Sequence, residues 1–200
     1  MRPKLDPGIR KILKAKYVLA SVSPRRIHLL DMIGLNFISM GSGVEEIDKA
    51  SNPVMTVKRN ALAKSREVAF SFENEIVISA DTIVVLAKHT LNKPANLKQA
   101  REYLKKLSGR KHYVFTGVNV INTKNGKEIF GYEKTSVEFR KLSDDEIDFY
   151  VRKYKPLDKA GAYGIQDDFG CLFIKRIEGD YYNIVGLPLV KLYECIKAVL

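Results

Sequence analysis

The chain has 200 residues, 46% of them apolar, enough for one sizeable core or two small lobes. No apolar run reaches membrane-spanning length, and the N-terminus lacks the apolar core of a signal peptide, so neither a membrane span nor export is expected. The 34 basic and 23 acidic residues leave a formal net charge of +11, which favours anionic partners (nucleic acid, nucleotides, phosphate esters, an acidic membrane surface) without choosing among them and is also compatible with a merely soluble surface.

Met1–Lys16 is basic, with Ile9, Ile12 and Leu13 at helical spacing after Pro7-Gly8; it reads as a short helix packed on the body or a frayed tail, and carries no assigned function. Tyr17-Val18-Leu19-Ala20 is a short apolar strand that runs into Ser21-Val22-Ser23-Pro24-Arg25-Arg26 and then a helical pattern ending at Gly34. Ser23 suits an N-cap and Pro24 the first helical position. Such a helix start offers free N–H groups and positive dipole to an anion. Two arginines in that first turn are locally unfavourable alone but sensible around a phosphate, which arginine grips in bidentate fashion. Asn36–Met40 is a second strand, and Gly41–Glu46 a loop carrying the acidic pair Glu45-Glu46.

Pro53–Phe72 is a helix with Val54, Val57, Ala61, Leu62, Val68 and Ala69 on its apolar face. Glu75–Leu86 is a continuous Ile/Val run around one polar break, as in a strand covered on both faces. A carboxylate inside such a strand is costly unless paired, so Asp81 is expected to meet a cation, either a metal ion or a basic side chain. The alternative is a strand end, with Ser79–Thr82 as a turn and Asp81 capping the next segment. Lys93-Pro94 is extended, and Leu97–Leu107 is a helix stopped by Gly109. His112–Asn122 and Lys127–Arg140 form a hairpin about Asn125-Gly126. Ser143–Glu146 is a capping box; Pro156–Gln166 is a glycine-punctuated loop suited to close approach of a ligand. Leu172–Ile177 is a strand, and Gly186-Leu187-Pro188 opens the last helix. Three scattered histidines (His28, His89, His112) disfavour Ser-His-Asp and His-rich zinc chemistry. Cys171 and Cys195 lack metal-like spacing and fit a reduced, cytosolic compartment.

Together, Leu19–Arg26, Ser79–Thr82, Lys93-Pro94, Leu107–Arg110, Pro156–Gln166, Gly179-Asp180 and Val185–Pro188 resemble the Maf family of nucleotide pyrophosphatases, from Tyr17 to the C-terminus, leaving 1–16 as an N-terminal extension to a single domain. The resemblance implies an α/β fold like that of the inosine-triphosphatase-like enzymes, with a mixed β-sheet in two lobes and a central cleft. It implies hydrolysis of a nucleoside triphosphate to monophosphate and pyrophosphate with a divalent ion, Mg²⁺ or Mn²⁺, by a cytoplasmic homodimer without membrane or nucleic-acid partners. By position it makes Asp81 the catalytic carboxylate and Glu46 the metal-associated acid. Ser21, Arg25 and Arg26 match the phosphate-binding turn, and Lys64 and Lys93 match lysines placed toward the phosphates. Arg25, Thr82 and Gln166 at three discriminating positions resemble the dTTP/UTP branch. Ser65 stands where the family usually has alanine.

Hydrolysis of a pyrophosphate bond needs charge neutralised on the phosphates, an oriented water and a stabilised leaving group. Glu46 and Asp81 suffice as protein ligands for an ion that keeps waters and substrate oxygens. Asp81 is also placed to orient or deprotonate the water, and Thr82 and Gln166 to meet a base edge. The competing reading is a non-catalytic basic protein that binds nucleic acid or a cell-division component through faces such as Lys98–Lys106, whose bland equivalent is a solvated face of i,i+4 pairs.

Overall fold

The structure is a computed structural model and describes residues 6–47, 52–166 and 169–200. The elements follow as α1 (Pro7–Lys14), β1 (Tyr17–Ala20), α2 (Pro24–Met32), β2 (Phe37–Met40), α3 (Pro53–Ala69), β3 (Ile76–Leu86), β4 (His89–Leu91), α4 (Leu97–Leu107), β5 (Lys111–Asn122), β6 (Glu128–Phe139), α5 (Asp144–Tyr154), β7 (Ile174–Glu178), α6 (Tyr181–Val185) and α7 (Leu189–Val199), with 3-10 turns at Ala160–Ala162 and Phe169–Phe173. The class is α/β, built on one mixed seven-stranded sheet ordered β2-β1-β3-β5-β6-β7, with β4 pairing β3 off that path.

The apolar run of β3 is one unbroken strand, and Ser79–Thr82 does not turn. Alternation along it sorts its residues. Ile76, Ile78 and Ala80 enter a core with α2 and α7, whereas Val84 and Leu86, on the same face, enter a second core with α4 and α5. These two cores are the two lobes. The opposite face lies under α3: Val77 packs with Val68, and Ile83 and Val85 pack with Val57. Asp81 falls on this second face.

Pairing along β3 then makes an opening. On one side β5 covers β3 continuously from Ile76 to Val85. On the other, β1 pairs only with Ile76–Ile78 and β4 only with Val84–Leu86. Between them, among the described residues, Ser79–Ile83 has no neighbouring strand on this edge, just beyond the carboxyl end of the parallel strand β1, where ligands bind in open α/β sheets.

Several local expectations hold. α5 carries both halves of its capping box, and Gly126 turns the β5–β6 hairpin at φ 72°. α1 is a helix packed on the body: Ile12 joins the first core, and the Lys11 ammonium meets the Leu200 carbonyl. The expected strand at Leu172–Ile177 is corrected: its first residues form a 3-10 turn and the strand starts at Ile174. Phe173 is fully buried against Tyr150 and Phe139, so inward packing outweighs strand pairing there.

His112 is fully buried, its Nε2 2.9 Å from the Tyr163 hydroxyl and its ring edge-on to Phe139. Burial pushes its pKa down to about 4. Unfolded chains take up that proton near pH 6.5. The contribution of His112 is therefore complete above pH 6.5 and declines as pH falls towards 4, at a slope of up to roughly 1.4 kcal/mol per pH unit. Denaturant titrations at pH 7 and pH 5 should show a smaller pH loss for His112→Gln than for the parent; equal losses would contradict this.

Candidate active site

The opening beside β3 is the floor of a cleft of about 460 Å³. All nine residues singled out from the sequence line it: Ser21, Arg25, Arg26, Glu46, Lys64, Asp81, Thr82, Lys93 and Gln166. The Ser21–Arg26 corner and the β3 aspartate, 55 or more positions apart in the chain, thus face one space.

Its acidic part is built by α3. Asn60 and Lys64 lie one turn apart on the helix face that meets β3. The Lys64 ammonium is 2.9 Å from Asp81 Oδ1, both side chains being 7% exposed, and also contacts Glu46 Oε1. Asn60 Nδ2 donates to Asp81 Oδ2 at 3.0 Å. The same amide exchanges hydrogen bonds with the main chain of Ile47, donating at 3.0 Å and accepting at 2.9 Å, which holds the loop that carries Glu46. Burial disfavours charge on Glu46, but Lys64, Lys93 and Arg26 outweigh it and hold the carboxyl below the usual carboxylate range. Of the two cations expected at Asp81, the basic side chain is in place as Lys64. That lysine lines the cleft and bridges the two acids. Ser65 leaves it in place, bonding back to the Ala61 carbonyl and accepting from Asn119.

The basic part is built by α2. Ser23 takes the N-cap position without its hydroxyl capping the helix, and Ser23, Pro24, Arg25 and Arg26 line the cleft. Arg26 donates to the Gly186 carbonyl at 2.9 Å, to Ser21 Oγ at 3.2 Å and to Thr82 Oγ1 at 3.2 Å. All three acceptors are neutral. Burial pulls the guanidinium below its ordinary pKa, against the field of Asp81 and Glu46, yet arginine stays cationic at neutral pH. Gly186 presents its carbonyl from φ 120°, a conformation for glycine; a Cβ there would sit 3.5 Å from Thr82 Oγ1. Arg25 reaches across to the Pro156–Gln166 loop, bonding Asp158 Oδ2 at 2.5 Å and the Asp158 carbonyl at 3.0 Å. Lys93 stands at the rim, exposed, 4.0 Å from Glu46. Gln166 is half-buried on the wall.

Asn60 and Asp158 were not singled out from the sequence. An amide interrupting the apolar face of α3, one turn before Lys64, is the signal for Asn60; Asp158 gives none beyond its place in a glycine-rich loop.

As a donor set, the two carboxylates suit a hard divalent cation, since they already converge on one ammonium. Among the described residues no group of three or more His, Cys, Asp and Glu could hold a metal. Two carboxylates thus share one cleft with a half-buried guanidinium in an α/β fold. The family model for Maf-like protein matches residues 16–199, and the chain belongs to that family. It is 47% identical to a dTTP/UTP pyrophosphatase of Dictyoglomus thermophilum over 90% of this chain and 94% of the relative. It is 45% identical to one of Bacillus mycoides over 91% and 94%. A solved nucleoside-triphosphatase / dITP/XTP pyrophosphatase from Mycobacterium abscessus aligns at TM-score 0.42 and 15% identity over 64% of this chain and 75% of that one, a likeness too slight to carry weight.

Proposed function

We propose that this chain is a nucleoside triphosphate pyrophosphatase, hydrolysing dTTP and UTP to the monophosphate and pyrophosphate with Mg²⁺ or Mn²⁺. The observation that carries the reading is the Arg26 guanidinium, whose hydrogen-bond acceptors among the described residues are neutral, sharing one cleft with Glu46 and Asp81. A triphosphate would offer that guanidinium charged hydrogen-bond acceptors. The names of the curated relatives support the pyrimidine substrates.

Glu46 and Asp81 would hold the metal, which when bound neutralises phosphate charge as the leaving group departs. Arg26 grips the phosphates from the α2 corner, with Arg25 and Lys93 at the rim. Asp81, steadied by Asn60 at one oxygen, orients the attacking water and takes its proton. Gln166 on the cleft wall offers an amide to the carbonyls and N–H of a pyrimidine edge.

Gln166→Glu, assayed for pyrophosphate on a panel of nucleoside triphosphates with and without Mg²⁺, should change the ranking of bases more than the overall rate. Equal losses on every nucleotide would contradict base reading by Gln166. The non-catalytic alternative draws no support from α4, whose Arg101 and Lys105 are engaged by Asp148 and Asp144. Among the described residues no helix is long and apolar enough to cross a membrane, and neither Cys171 nor Cys195 is in a disulfide. With the family resemblance, these support a cytoplasmic protein; the homodimer rests on the resemblance alone.

A further inference from the structure

Thr82 and Thr116 face each other across β3 and β5, where the two cores part. On the same face their neighbours Ala80 and Val118 belong to the first core, and Val84 and Val114 to the second. Thr116 is fully buried. A hydroxyl in that position is costly unless it is used.

Counting hydrogens gives its use a direction. A threonine hydroxyl has one hydrogen to donate and two lone pairs. Thr116 Oγ1 donates its hydrogen to the Asn183 carbonyl at 3.0 Å. The 3.0 Å contact between the two hydroxyls is therefore donated by Thr82. The other acceptor for Thr82, the Gly186 carbonyl, is 3.5 Å away and already takes Arg26 Nε at 2.9 Å. With its hydrogen committed, Thr82 turns a lone pair to Arg26 Nη2. The far end is anchored: Asn183 donates from Nδ2 to the Val114 carbonyl at 3.1 Å and to Thr135 Oγ1 at 2.8 Å.

We propose that Thr116 is a positioning residue, which through Thr82 fixes the orientation of the Arg26 guanidinium toward the bound triphosphate. Thr82 then acts on the arginine and not on the base edge. The inference rests on the reading of the cleft as a triphosphate site.

Thr116→Val keeps the shape and removes the hydroxyl. Thr82 is then left with the Gly186 carbonyl as acceptor, in competition with Arg26. The KM for dTTP should rise about tenfold, and binding of inorganic pyrophosphate weaken about tenfold, with kcat within about twofold. Thr116→Ser should restore both. Thr82→Val should give the same rise without altering the ranking of bases, and the double Val variant should be no worse than either single one, because the chain is cut once. A folded Thr116→Val variant with unchanged KM, a loss that Thr116→Ser does not recover, additive effects, or a changed base ranking in Thr82→Val would each overturn the proposal. Should Thr116→Val fail to fold, Thr82→Val and Thr116→Ser decide it by the same criteria. Parent protein that releases no pyrophosphate from any nucleotide would instead sink the triphosphate reading, and this inference with it.

Discussion

Asp81→Asn is expected to reduce pyrophosphate release by about a hundredfold or more, the scale of losing one well-placed catalytic group. The change is nearly isosteric. It keeps an oxygen toward Lys64 and loses the hydrogen bond from Asn60, since an NH2 then faces the Asn60 donor. What disappears is the negative charge that holds a cation and the base that takes a proton from water. Circular dichroism and the thermal midpoint separate this from misfolding: the variant should fold and bind pyrophosphate more weakly. Near-parental turnover in the folded variant would remove Asp81 from the chemistry.

Lys64→Met should have the largest effect on stability. Lys64 and Asp81 form a buried pair with side chains 7% exposed, and removing one partner of such a pair costs roughly 3–5 kcal/mol because the other charge is left uncompensated. Glu46 loses the same ammonium. A divalent ion placed between the two carboxylates would compensate them, so saturating Mg²⁺ should recover part of the loss, and raise the stability of Lys64→Met more than that of the parent. Denaturant titration with and without Mg²⁺ reads both effects. A variant as stable as the parent, or indifferent to the metal, would contradict a cation-binding pair of acids.

What the sequence carries, and what it does not, follows from the range of the interactions involved. Local signals are strong. The unbroken Ile/Val run makes β3, Pro24 after Ser23 starts α2, Ser143 with Glu146 caps α5, and Asn125-Gly126 turns the hairpin. Each depends on neighbours within a few residues. The resemblance places the nine cleft residues, and all nine line one space. Pairing between distant charges is not local. The contacts of Lys64 to Asp81 and Glu46 join three distant segments and have no local signal. Arg25, matched to the phosphate-binding turn, is also held by Asp158, 133 positions away. Asn60 stands out only once it holds both Asp81 and the loop of Glu46. The opening itself depends on β1 and β4 covering different stretches of one edge of β3. That register is a property of the whole sheet and no single segment encodes it. Phe173 has strand-like composition but is claimed by an aromatic cluster formed with α5.

Product identification with dTTP or UTP as substrate is the most direct test. In the presence of Mg²⁺ the protein should yield nucleoside monophosphate and pyrophosphate in equal amounts, and chelation of the metal should stop it. Nucleoside diphosphate with orthophosphate, or no turnover of any nucleoside triphosphate with metal present, would show that the cleft does not do this chemistry.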